Sequence, residues 1–184
     1  NDPHMYRAVP ADVQLLEQAD LVAYNGMHLE GRMADVFERL AGRQPVIAVT
    51  DGLIHAKDER LRKPAEFEGQ HDPHVWHDPK IWADCVRYVS EQLQRFDPDH
   101  SDDYVRYADG VMMDFRGVDK YCRERIEGIP SEHRVLVTAH DAFNYFSPAY
   151  GLETFALKGI STDDETSIGR MDDAVKMLVE RKIP

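Results

Sequence analysis

Nine histidines occur in the chain, and three of them stand where strand-like segments give way to loops or helices. Asp2-Pro3-His4 precedes the first helical segment. Asp72-Pro73-His74-Val75-Trp76-His77-Asp78-Pro79 precedes a helix that Pro79 opens, and Thr138-Ala139-His140-Asp141 follows a strand. Neutral imidazole is a good ligand for Zn²⁺ and a tolerable one for Mn²⁺, and metal sites regularly draw their ligands from distant segments. In open parallel sheets ligands bind beyond the carboxyl ends of the strands. His4, His74 and His140 are therefore candidate ligands of one transition-metal ion. The proline before His4 and before His74 stiffens the backbone and limits the entropy lost on coordination. Asp2, Asp72 and Asp141 are candidate acceptors for imidazole N–H groups, which would fix the tautomer; turn-forming and helix-capping roles fit them equally well.

A histidine taken singly is more often a surface or satisfied core residue than a ligand, and spacing alone leaves both readings open at His4, His74 and His140. His55, His100 and His133 are read as ordinary surface or core residues. His71 and His77 lie three positions to either side of His74 and suit roles around the site. His28, beside Asn25-Gly26, is read as packing near it. Because coordination needs neutral imidazoles, affinity is expected to drop as pH falls toward about 6.5 and below.

The elements that must position these residues alternate helix and strand. A helix over about residues 12–19 leads into a strand at 21–24, a second helix over about 29–40 stops at Gly42, and 45–49 reads as a buried strand closing at Asp51-Gly52. This is the β-α-β signature of a parallel sheet. Residues 53–69 are mixed and polar, a surface loop. Asp78 is a candidate N-cap with Pro79 at the first helical position, and the helix runs to about Phe96, where Asp97-Pro98 breaks it. Residues 101–127 contain no proline, and Tyr104, Ala108, Val111, Phe115, Val118 and Cys122 fall at alternating four- and three-residue steps. They form one apolar stripe on a helix roughly 40 Å long, a length suited to connecting two bodies. Beyond Pro130 the rhythm resumes, with a strand at 134–138, a helix over about 141–146, a strand at 155–160 and a helix over about 171–181.

With 34 acidic and 22 basic residues the formal charge is −12, which argues against nucleic acid or anionic lipid as a partner and suits attraction of cations. Cys85 and Cys122 are too few for a disulfide framework and sit in apolar helical contexts, so free thiols are expected, with one bridge possible in an oxidising compartment. No stretch approaches the about 18–20 apolar residues of a membrane span.

Several motifs together carry a family resemblance: Asp2-Pro3-His4, Asn25-Gly26-Met27-His28-Leu29-Glu30, Asp72-Pro73-His74-Val75-Trp76, Thr138-Ala139-His140-Asp141-Ala142-Phe143 with Tyr145-Phe146 and Ala149-Tyr150-Gly151, and Gly159-Ile160-Ser161-Thr162 followed by Glu165. In order and spacing, along essentially the whole chain, they resemble the TroA-like solute-binding proteins of zinc and manganese ABC transporters. That resemblance implies two parallel-sheet α/β lobes joined by one long rigid helix: residues 1–100 as part of the N-terminal lobe, 101–128 as the connector and 129–184 as part of the C-terminal lobe. It implies His4 and His74 as ligands from the first lobe and His140 from the second, with a fourth, carboxylate ligand beyond residue 184. It also implies a transporter permease as partner and an extracytoplasmic location, periplasmic or lipid-anchored, with the signal peptide upstream of Asn1; a monomer is expected. The abrupt start and the end at Ile183-Pro184 read as a fragment of a larger protein. His140 stands where manganese-specific relatives often carry Glu, which favours Zn²⁺ slightly over Mn²⁺. Residues 53–69 lack the long His-rich tract of some dedicated zinc binders, so the shift is small.

Two other functions compete. A three-histidine site with an open position resembles that of a zinc hydrolase, with Asp141 or Glu165 as general base, although HExxH and GxSxG are both absent. An adhesin with a structural metal is the other.

Overall fold

The computed structural model describes residues 2–67, 69–163 and 168–183. Glu165 lies outside the described residues. Helix α1 (Pro10–Glu17) starts with proline at its first turn, and Asp12 accepts the Val9 backbone N–H at 2.8 Å and the Tyr6 hydroxyl at 2.5 Å. Strand β1 (Val22–Tyr24), helix α2 (Ala34–Ala41) and parallel strand β2 (Val46–Ala48) form the first crossover, with Val22 opposite Val46. Met33, Phe37 and Leu40 recur at four- and three-residue steps, the spacing of one helix face. They pack on Val22, while Phe37 stacks on Tyr24 with ring centroids 4.1 Å apart.

The segment expected as loop 53–69 instead opens with a short helix, α3 (Asp51–His55). Thr50 turns the chain by donating its hydroxyl to the Asn25 carbonyl at 2.8 Å, and Leu53 is buried in the core. Gly52, expected to close a strand, has a packing role: a Cβ built there would lie 2.7 Å from Tyr88 Cγ on the next long helix. That helix, α4 (Pro79–Phe96), begins as its sequence directs, with the Asp78 carboxylate accepting the Lys80 N–H at 2.8 Å and Pro79 at the first position.

Helix α5 (Ser101–Glu127) is the expected 27-residue element, acidic in its first turn and basic in its last, as the helix dipole favours. It packs along α4 and touches the short helix at Phe146–Tyr150. Its apolar stripe is covered only in part: Ala108 is buried and Tyr104, Phe115 and Cys122 are half-buried, whereas Val111 and Val118 are exposed.

The second sheet pairs β3 (Val135–Thr138) in parallel with β4 (Glu153–Ala156). The expected helix at 141–146 lies further along, as α6 (Phe146–Tyr150), ended by Gly151 in the left-handed region at φ 69°. Residues 141–145 form turns because their polar groups bond outside any helix: Asp141 N–H to the Gly159 carbonyl, the Asn144 amide to Asp72, and the Tyr145 hydroxyl to the Asp72 carbonyl. The strand expected at 155–160 is β4, two residues earlier at its start and ending at Ala156, matching the length of β3. Helix α7 (Ile168–Glu180) follows. Cys85 is buried, Cys122 is half-buried, and the two are unbridged. Among the described residues no helix is long and apolar enough to cross a membrane.

Two glycine-to-alanine changes in helices are expected to act with opposite signs. At Gly110, in α5, an added Cβ meets nothing within 4 Å, so Gly110→Ala should stabilise by about 0.5–1 kcal/mol through helix propensity. Gly52→Ala should destabilise by about 1–3 kcal/mol through overpacking against Tyr88. Denaturant midpoints of the two variants check both signs.

Candidate metal centre

His4 is held in a turn after Pro3, where its backbone N–H donates to Asp2 Oδ1 at 3.0 Å. The same turn recurs at the second Asp-Pro-His: the His74 N–H donates to Asp72 Oδ1 at 2.9 Å. His140 follows the end of β3, and Thr138 donates its hydroxyl to the His140 carbonyl at 2.9 Å. The fold brings the three rings to one point. His4 Nε2 and His74 Nε2 are 3.1 Å apart, and one nitrogen from each of His4, His74 and His140 lies within 4.8 Å of the other two. His74 is buried, while His4 and His140 are half-buried at the edge of a cleft of about 360 Å³.

The tautomer of His74 follows from its partner. Asp72 Oδ1 lies 2.7 Å from His74 Nδ1, and a carboxylate can only accept, so Nδ1 carries the proton and the Nε2 lone pair faces the cleft. A ligand–ligand edge of about 3.3 Å is what a tetrahedral ion with arms of about 2.0–2.1 Å requires. The 3.1 Å between His4 and His74 is close to that edge, and small ring movements suffice for His140.

The surroundings favour the neutral form of His4, His140 and His77. Burial, followed by the neighbouring His74, pushes the pKa values of His4 and His140 below the ordinary 6.5. His77, whose ring stacks on Phe143 with centroids 4.3 Å apart, is pushed down to about 4, chiefly by burial. It lines the same cleft.

The aspartates take different positions. Asp72 has no exposed surface, and its Oδ2 accepts the Asn144 amide at 2.9 Å. Asp2 holds the backbone of His4, not its ring, and its Oδ2 accepts the Thr162 hydroxyl at 2.5 Å. Asp141 Oδ2 accepts the same Asn144 amide at 3.0 Å. His28 stands elsewhere: it has φ 62° and lines a separate cavity with Met27 and His71. Sequence reading assigned no role to Asn144 and none to Thr162, although both fall in or beside the motifs that carried the resemblance. A polar donor within hydrophobic Phe143-Asn144-Tyr145 was the available signal.

The chain is 39% identical over 183 residues to the zinc-binding protein TroA of Treponema pallidum, and 36% identical over 182 residues to the manganese-binding lipoprotein MntA of Bacillus subtilis. The alignments cover 100% and 99% of this chain, which spans 58% of the length of each relative. The structure of the periplasmic zinc-binding protein TroA from Treponema pallidum superposes with a TM-score of 0.90 at 40% identity, covering 100% of this chain and 64% of that one. It has the same arrangement of parallel-sheet lobes about a long helix. The family model of ZnuA, zinc-uptake complex component A, periplasmic, matches residues 1–184, and the chain belongs to that family.

Proposed function

We propose that this chain is the metal-gripping part of an extracytoplasmic solute-binding protein that captures Zn²⁺ or Mn²⁺ between two lobes and delivers it to an ABC-transporter permease. The observation that carries this is the convergence of His4, His74 and His140, from three distant segments, to within 4.8 Å. His4 and His74 belong to the first lobe and His140 to the second, so one ion bound by all three ties the lobes together. In this proposal residues 1–100 belong to the first lobe, 101–128 connect, and 129–184 belong to the second. The long helix α5 limits how far the lobes swing, and the permease recognises the closed form. We assign the fourth position to a carboxylate outside this chain, as the resemblance implies. His140 in place of a carboxylate favours Zn²⁺, whose affinity for imidazole exceeds that of Mn²⁺.

The site suits capture better than catalysis. Asp2, Asp72 and Asp141, carboxylates beside the triad, each accept hydrogen bonds from protein groups, which suits them to hold the site in place more than to abstract a proton from water. The names of the relatives describe binding proteins, in keeping with an extracytoplasmic place for this one.

Chelator-competition titration with Zn²⁺ and Mn²⁺ tests the assignment. The chain is expected to bind one ion tightly, and His140→Ala to weaken binding by about tenfold or more. Equal, weak binding by both proteins would mean that His140 is not a ligand or that the carboxylate outside this chain is indispensable.

The depressed pKa values set the pH range. Since folded His4 and His140 are protonated only below 6.5, metal affinity is expected to hold as pH falls to 6.5 and to drop below it. The same shifts govern the stability of the metal-free protein. As pH falls below 6.5 the unfolded imidazoles take up protons before folded His4, His140 and His77 do, the last of these holding off to about 4. The unfolded state then binds more protons, so stability present above 6.5 is lost progressively toward 4. Urea midpoints between about pH 7.5 and 4.5 should fall, and His77→Phe should flatten the slope. A midpoint that rises over that interval would contradict the assignment of buried neutral rings.

A further inference from the structure

The two Asp-Pro-His turns use their aspartates in the same way. In the first, Asp2 Oδ1 accepts the His4 backbone N–H at 3.0 Å and Oδ2 accepts the Thr162 hydroxyl at 2.5 Å. In the second, Asp72 Oδ1 accepts the backbone N–H and the ring Nδ1–H of His74, at 2.9 and 2.7 Å, and Oδ2 accepts the Asn144 amide at 2.9 Å. One oxygen of each carboxylate therefore faces the histidine, and the other faces the opposite lobe. Thr162 follows β4 and Asn144 precedes α6, so both donors move with His140.

Building on the metal-capture function above, we propose that Thr162 and Asn144 are positioning residues that engage the two Asp-Pro-His turns only when the lobes are closed. Ligand geometry at His4 and His74 and closure of the cleft then hold one another, and these two donors set the rate of metal release. Hydrogen bonds to a carboxylate are roughly twice as strong as neutral ones. These two span the cleft, so opening breaks them before any ligand need change. Asn144 does more than Thr162. Its Nδ2 lies 2.9 Å from Asp72 Oδ2 and 3.0 Å from Asp141 Oδ2, so one amide uses both hydrogens to hold carboxylates from opposite lobes and offsets their repulsion. A neighbouring ion pair across the same edge, Arg32 with Asp163 at 2.5 Å, is partly exposed on both sides and adds little.

Release kinetics test this. The chain is loaded with Zn²⁺, mixed with excess chelator, and the appearance of the metal–chelator complex is followed. Thr162→Val and Asn144→Ala are each expected to release Zn²⁺ severalfold faster, and the double variant about tenfold or more. Thr162→Ser, which keeps the hydroxyl, should release at the unsubstituted rate. Asn144→Asp keeps the size but turns an acceptor toward two carboxylates, and should release faster than Asn144→Ala. The absorption spectrum of the Co²⁺-loaded variants should match that of the unsubstituted chain, because no ligand is altered. Release from the double variant within about twofold of the unsubstituted rate, or Thr162→Ser as fast as Thr162→Val, would overturn the proposal. Thr162 is half-buried, so its two variants carry the test if the double variant does not fold. An unsubstituted chain that takes up no Zn²⁺ would sink the capture function itself, and that is seen before any variant is compared.

Discussion

The buried carboxylate of Asp72 is the constraint on which the rest of the site depends. An ionised carboxylate with no exposed surface is costly unless it is fully hydrogen-bonded. Here Oδ1 takes two hydrogen bonds from His74 and Oδ2 takes one from Asn144. The backbone of the same residue is used as fully: its N–H donates to the Arg62 carbonyl at 2.9 Å and its carbonyl accepts the Tyr145 hydroxyl at 2.9 Å. That hydroxyl in turn accepts the Arg62 N–H at 3.1 Å. One residue therefore joins the loop before it, the histidine after it and the Asn144-Tyr145 segment. One buried apolar cluster joins Met27, Leu53, Val75, Ile81 and Cys85 to Tyr145, whose hydroxyl bonds the Asp72 carbonyl. His74, the candidate ligand, is held in place by the same contacts that fix Asp72.

Charge acts at two ranges. A net −12 draws cations toward the surface from a distance limited by salt screening. At the cleft itself burial, followed by the neighbouring His74, favours the neutral form of His4 and His140. In the proposed function an arriving divalent ion meets lone pairs, with the Asp72 carboxylate one hydrogen bond behind the His74 ring and the Asp2 carboxylate on the His4 backbone. Helix α5 is an unbroken 27-residue element, and in the proposed function it limits motion to opening and closing of the cleft.

Much of this was legible in the sequence where one local signal dominates. Asp78-Pro79 and Asp97-Pro98 mark both ends of α4, and the proline-free run to Glu127 marks α5. The two Asp-Pro-His segments and Ala139-His140 stood out by their places beside helices and strands, but spacing alone left structural and ligand readings open, and their convergence required the tertiary fold. What misled were segments whose polar groups bond across the molecule. Residues 141–145 carry a helical pattern but give their side chains to Asp72 and its neighbours. Asp51-Gly52 carries a turn signal but opens α3, because the glycine lets α3 lie on Tyr88. His28 shares a motif with site residues yet lines a different cavity, a separation that only the positive φ values of Gly26, Met27 and His28 bring about.

X-ray absorption at the zinc edge of the Zn²⁺-loaded chain tests most directly whether His4, His74 and His140 hold one ion. The account requires a first shell containing three imidazole nitrogens at about 2.0–2.1 Å, with the outer-ring scattering that imidazole gives. A shell of oxygens with one imidazole or none, or a shell containing sulfur from Cys122, would contradict it.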